Sequence, residues 1–235
     1  MTIKPNRPQC NLTIKSLITT IMYKKIILCA AMALFALSGC NSGSTNSTQP
    51  SPTPESSASP SFDEVLKTRR SVRSYDASKK ITEAEVRTLL TAVQEAPSWA
   101  NNQPTKYYVA IGKEKLEAVQ NLVGGNKERI INAPVLIVST FERGKSGFFN
   151  GNATNEIGDG WGAYDNGLSN CYLIMQARAM GFDTLIMGMR DSDGLRKEFN
   201  IPENETVMAV ISLGYRSGEP KQPGHRPFDE VVKFF

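Results

Sequence analysis

Polar and apolar positions in residues 62–235 fall into two periods, and blocks of each alternate along the chain. Ser61-Phe62-Asp63-Glu64 has the Ser-x-x-Glu form of a capping box and predicts a helix from Phe62 to about Thr68. Thr82-Glu83-Ala84-Glu85 repeats that form, with Ile81 and Val86 where a hydrophobic staple belongs. Val86, Leu89, Leu90 and Val93 then trace one helical stripe, which Pro97 ends. Tyr107–Ile111 reads as a strand and Glu114–Val123 as a helix closed at Gly124-Gly125; Pro134–Phe141 is a continuous apolar strand. Tyr164–Met180 predicts a long helix, apolar on several sides and so expected to be buried, with Gly181 as its stop. Leu185–Met187 and Val207–Leu213 read as further buried strands, and Asp229–Phe235 as a last helix. The alternation predicts an α+β domain of mixed α/β layers.

Residues 1–61 follow a different pattern. Met1–Ile21 lacks signal character, whereas Met22 begins a well-formed export signal and is the expected true start. Lys24 and Lys25 precede an apolar run, Ile26–Leu37, of about 12 residues, the length of a signal core and too short to span a membrane. The run ends in Leu37-Ser38-Gly39-Cys40, which resembles the bacterial lipobox, where the chain is cut before an acylated cysteine. Residues 1–40 are therefore expected to be a lipoprotein signal region, with Cys40 lipidated and the protein held on a bacterial membrane outside the cytoplasm. Residues 41–61 are almost all Ser, Thr, Pro, Asn and Gly, too few apolar side chains to offset ordering entropy, and read as a flexible tether. Residues 62–235 form the folded domain.

Charge changes the picture once it is divided this way. Residues 62–235 hold 22 Lys+Arg and 22 Asp+Glu, so the formal +4 of the whole chain comes from the N-terminal part. A neutral domain has no electrostatic footprint for nucleic acid. Cys10 and Cys29 would leave with the signal, so Cys171 is the one thiol of the mature domain besides Cys40, and no internal disulfide is expected. Inside an apolar helix, Cys171 reads as core filler. His225 is the only histidine, and no metal-ligand spacing occurs, so a His-based triad and a zinc site are set aside.

Three segments carry candidate chemistry. Arg69-Arg70-Ser71-Val72-Arg73 follows the first helix, and in an extended backbone Arg69, Ser71 and Arg73 share one face. Two guanidiniums and a hydroxyl there can grip an anion by forked, charge-assisted hydrogen bonds, although spacing alone favours a solvated basic turn. Pro97-Ser98-Trp99-Ala100-Asn101-Asn102-Gln103-Pro104 offers amides for the edge of a heterocycle and an aromatic face for its plane. The tail after Gly214-Tyr215-Arg216 is Pro-rich and basic, with Arg226 next to the last helix.

Taken in this order, the three segments resemble the nitroreductase family over essentially the whole domain. The resemblance implies a central, mostly antiparallel sheet flanked by helices, in an intertwined homodimer with FMN at each subunit interface. It implies that Arg69 and Ser71 hold the FMN phosphate and ribityl chain, with Arg70 beside them in the cofactor site and Arg226 on the phosphate, and that Arg73 is a cation at the flavin pyrimidine edge, favouring electron uptake. Pro97, Ser98, Asn101 and Gln103 match the loop that packs on the flavin, usually from the partner subunit. Met187 and Gly188 lie where family backbone approaches the ring. No catalytic side chain is expected, because hydride chemistry belongs to the cofactor. The implied function is FMN-dependent transfer of hydride from NAD(P)H or another donor to a nitroaromatic, quinone or similar small acceptor. A reductive dehalogenase or flavin-modifying activity, or a lipid-anchored flavin carrier without turnover, stands as the alternative. Trp99, Thr105 and the insert Gly147–Trp161 depart from the family pattern at positions expected to line or cover the ring.

Overall fold

A computed structural model describes residues 59–235; the signal region, Cys40 and most of the tether lie outside the described residues. Seven α-helices and six strands follow in the order α1 (Phe62–Thr68), α2 (Glu83–Val93), β1 (Thr105–Ala110), α3 (Lys113–Gln120), α4 (Lys127–Ile130), β2 (Val135–Glu142), β3 (Phe148–Phe149), β4 (Asn152–Ala153), α5 (Gly160–Ala179), β5 (Asp183–Met187), α6 (Ser192–Phe199), β6 (Glu205–Gly214) and α7 (Phe228–Val231). Both predicted caps form: Ser61 accepts from the Glu64 amide, and Thr82 and Glu85 complete a reciprocal capping box.

The main sheet has the order β1-β2-β6-β5, and every neighbour pair in it is antiparallel. β2 is buried along nearly its whole length because both sheet faces are covered. Val135 and Ile137 join Leu89, Leu173 and Ile211 on one face, while Leu136 and Val138 join Val119, Ile130 and Leu195 on the other. Each such side chain contributes about 1.5–3 kcal/mol by leaving water.

Helix α5 departs from the expectation of an apolar, buried rod. Its N-terminal half buries Asp165, Asn166, Ser169 and Asn170, whereas Tyr164 and Tyr172 face outward. The reason lies in β2, whose register shifts between Ser139 and Thr140. That bulge frees the Thr140 carbonyl to accept from Asn166 Nδ2 at 2.9 Å, and the Ser139 hydroxyl meets Asn166 and Asn170 within 3.1 Å. Gly162 lets this face approach closely: a Cβ there would stand 2.5 Å from the Phe141 ring. Cys171 is exposed on the outward face and is not core filler, because the helix turns a polar stripe inward. The last helix is one turn long; beyond Val231 the chain is extended, and Phe228, Phe234 and Phe235 are exposed. Helix α6, capped by Asp191 and closed by left-handed Asn200, was not expected from the pattern of apolar positions.

Candidate functional site

Arg69 closes α1 and turns the chain into extended backbone, φ −61° and ψ 131°. The segment then runs along the free edge of β5. Ser71 bridges Thr184 in parallel, and the Val72 amide donates to the Thr184 carbonyl at 3.0 Å. Val72 points into the core while Ser71 and Arg73 point outward, as alternation requires. Tyr75 ends the segment by bridging Arg216, and its buried hydroxyl donates to the Val72 carbonyl at 3.1 Å beside Ser212 Oγ at 2.8 Å. Burial drives the Tyr75 phenol far above its usual pKa.

Arg69, Arg70 and Arg73 form no ion pair among the described residues. Arg70 donates to the Arg69 carbonyl at 2.7 Å and Arg73 to the Ser71 carbonyl at 3.1 Å, leaving most of their donors unused. Guanidiniums with unused donors beside an exposed hydroxyl are the groups that bind anions by forked hydrogen bonds. At the other end of the same strand, Met187 is buried and Gly188 stands open: a Cβ there would meet nothing within 4 Å. A flat group can therefore lie against that backbone. Arg190 folds back onto the Gly188 and Val207 carbonyls, and burial lowers its pKa.

The Pro97–Gln103 loop is built differently. Ala100, Asn101 and Gln103 all have positive φ, at 45°, 55° and 48°. Non-glycine residues reach that region at a cost of about 1–2 kcal/mol each, so side-chain bonds must hold the loop. The Trp99 amide donates to Asp165 Oδ2 at 2.9 Å, the Gln103 amide to Ser98 Oγ at 2.9 Å, and Asn102 Nδ2 to the Lys145 carbonyl at 3.1 Å. The Trp99 ring packs on Trp161 with centroids 5.0 Å apart, and Trp161 in turn meets Tyr164 at 5.7 Å. Trp161 belongs to the insert and is tied to it through Asn155 at 3.0 Å and through close contact with Gly147.

Within one chain the candidate residues do not all meet. Arg69–Arg73 and Met187-Gly188 share the edge of β5. The Pro97–Gln103 loop leads into β1, at the opposite edge and the opposite end: Thr105 faces Phe141, which faces Thr206, whereas Thr184 faces Leu213. The arginine segment, one strand beyond β5, lies about 19 Å from the loop across the strands and about 23 Å along them. Arg226 is exposed in the tail and makes no side-chain hydrogen bond among the described residues. Among the buried carboxylates that escaped the sequence reading are Asp165 under the loop and Asp183 under the arginine segment. Each acts on a partner far away in sequence, and neither stands in a local pattern that would have revealed it.

The chain matches the family model described as "Nitroreductase family" over residues 66–215. It is 24% identical over 202 residues to YdgI of Bacillus subtilis, named as a candidate NAD(P)H nitroreductase, covering 74% of this chain and 97% of that protein. It is 26% identical over 164 residues to an Archaeoglobus fulgidus protein named as a candidate NADH dehydrogenase/NAD(P)H nitroreductase, covering 66% of this chain and 85% of that one. Among solved structures, a nitroreductase from Exiguobacterium sibiricum crystallised with FMN superposes with a TM-score of 0.67 at 20% identity, over 75% of this chain and 98% of that one. A family match spanning more than half of the sequence, on a sheet of the expected antiparallel form, establishes that this chain belongs to the nitroreductase family.

Proposed function

We propose that residues 62–235 are an FMN-dependent oxidoreductase that passes hydride from NAD(P)H or another donor to a nitroaromatic, quinone or similar small acceptor. The observation that carries this reading is the edge of β5, where three guanidiniums without a carboxylate partner and the exposed Ser71 hydroxyl lead to the open backbone of Gly188. That edge suits FMN: Arg69, Arg70 and Ser71 would hold the phosphate and ribityl chain, and Arg73 would set positive charge near the pyrimidine edge. FMN, when bound, supplies the hydride chemistry. The chain's own residues bind, orient and cover. A yellow purified domain whose absorption near 450 nm bleaches on anaerobic addition of NADH or NADPH is the expected result; a colourless domain that takes up no FMN would overturn the reading.

The second half of the site is proposed to come from a partner copy. Ser98, Asn101 and Gln103 are too far from Arg69–Arg73 to share one ring within a chain. An exposed face of Phe62, Leu66, Cys171 and Tyr172 with half-buried Met175, around a groove of about 510 Å³, together with the exposed tail phenylalanines, supports a homodimer. Arg226, exposed in the tail, would join the phosphate site. Sedimentation is expected to give a dimer, and a monomer that keeps FMN would sink the arrangement.

The proposed address is a bacterial membrane outside the cytoplasm, through lipid on Cys40 and the tether of residues 41–61. Two or more acyl chains give stable anchoring, each buried methylene adding about 0.8 kcal/mol. NAD(P)H would be scarce there, so a redox partner is the alternative donor. Wild-type protein is expected to fractionate with membranes and to incorporate a palmitate analogue, and Cys40→Ser to do neither; a soluble, unlabelled wild type removes the proposal.

A further inference from the structure

The arginine segment does not stand on its own backbone alone. Thr68, the residue before Arg69, is gripped from two sides: its carbonyl accepts from Arg216 Nη2 at 3.2 Å, and its hydroxyl accepts from Arg178 Nε at 3.1 Å. Both guanidiniums converge on one carboxylate. Arg216 binds Asp183 through a fork, Nε to Oδ2 at 2.8 Å and Nη2 to Oδ1 at 2.5 Å, and Arg178 Nη1 stands 3.5 Å from the same Oδ1. The Asp183 side chain is 2% exposed and that of Arg216 12%, so the fork is nearly out of water. The exposed Glu219 takes the remaining face of Arg216 at 2.9 Å.

The placement of Asp183 gives the cluster a direction. Asp183 opens β5, and the next residue, Thr184, is the one that Ser71 and Val72 pair with. The same strand therefore fixes the segment at Val72 through backbone and at Thr68 through the two arginines. Arg69 and Ser71 lie between those two points. A forked guanidinium–carboxylate pair fixes orientation as well as distance, which a lysine could not do.

We propose that Asp183, acting through Arg216 and Arg178, is the positioning group of the phosphate-binding segment: it holds Thr68 so that Arg69 and Ser71 face the phosphate. This inference rests on the reading that Arg69 and Ser71 bind the FMN phosphate. On this reading Asp183, Arg216 and Arg178 act through Thr68 rather than on the cofactor. Their effect is specific to the phosphate end of the ligand, which separates positioning from general support of the fold.

The test compares FMN with riboflavin, which lacks the phosphate, by quenching of flavin fluorescence on titration into the dimeric apoprotein. Asp183→Asn keeps the shape and removes the charge; it is expected to weaken FMN by about tenfold while riboflavin affinity stays within twofold. Arg216→Lys keeps the charge and loses the fork, and is expected to do the same, so it decides the matter where Asp183→Asn does not fold. The double variant Asp183→Asn/Arg69→Ala should weaken FMN by clearly less than the product of the two single effects, because Asp183 acts in part through Arg69. Equal weakening of FMN and riboflavin, or no change in either, overturns the positioning role. An Arg69→Ala variant with unchanged preference for FMN over riboflavin overturns instead the reading on which it rests.

Discussion

The arginine segment and the Pro97–Gln103 loop are the two halves of the proposed site, and they are held by opposite means. Residues 69–75 have ordinary extended backbone, stapled to β5 at Val72, to Arg216 at Tyr75 and to the arginine pair at Thr68. The loop has three left-handed non-glycine residues within four positions and leans on one buried carboxylate and a tryptophan stack. Strain of that kind persists only where the surroundings over-determine it. The first half is thus a rigid anchor made mainly of sheet, and the second is a sprung cover made of side chains.

Changes in the anchor should cost cofactor and little else. Arg69→Ala or Arg226→Ala is expected to weaken FMN by tens-fold, about 1.5–3 kcal/mol for each charged hydrogen bond lost, with an apoprotein that melts as wild type does. Equal FMN retention in both variants would abolish the distinction between anchor and cover. Changes in the cover should cost stability first. Asp165→Leu leaves the Trp99 amide without its acceptor and is expected to destabilise by about 1–3 kcal/mol in urea, whereas Asp165→Asn keeps an acceptor and loses less than about 1 kcal/mol. Equal losses in the two would show that charge, rather than the hydrogen bond, holds the loop. Ala100→Gly relieves a left-handed residue and should stabilise by about 0.5–1 kcal/mol, a gain that no glycine placed in residues 69–73 can match. A loss at Ala100→Gly would mean that the loop is not strained. The smallest effect belongs to neither half. Glu85 is held below its usual pKa by the Thr82 amide and hydroxyl, so its support of α2 is present above the ordinary carboxylate range and fades as pH falls toward the lowered value. Denaturation at neutral and acid pH should show a slightly smaller acid loss in Glu85→Gln.

Much of this was legible in advance because it rests on local rules. The capping boxes, the continuous run of β2 and the Arg-Arg-Ser-Val-Arg alternation depend on residues within a few positions of each other, and they recur in the structure where the pattern put them. What failed depended on distant partners. Tyr164–Met180 looked buried because apolar residues surround it, yet a bulge in β2 turns Asn166 and Asn170 inward and leaves Cys171 outside. Asp183 and Arg216 were two ordinary charges until β5 and β6 brought them together. Asp165 was invisible for the same reason, its partner lying 66 positions away.

The diagonal placement of the two halves reaches beyond binding into inheritance. If each working site takes its anchor from one copy and its cover from another, a variant broken at Arg69 and a variant broken at Asp165 are complementary. Co-expressed, they would assemble mixed pairs in which one site carries both lesions and the other carries none, so that about one site in four is intact after random pairing. Two alleles that are each silent would then give a working cell together, and a dominant loss would be hard to produce by damaging either half alone.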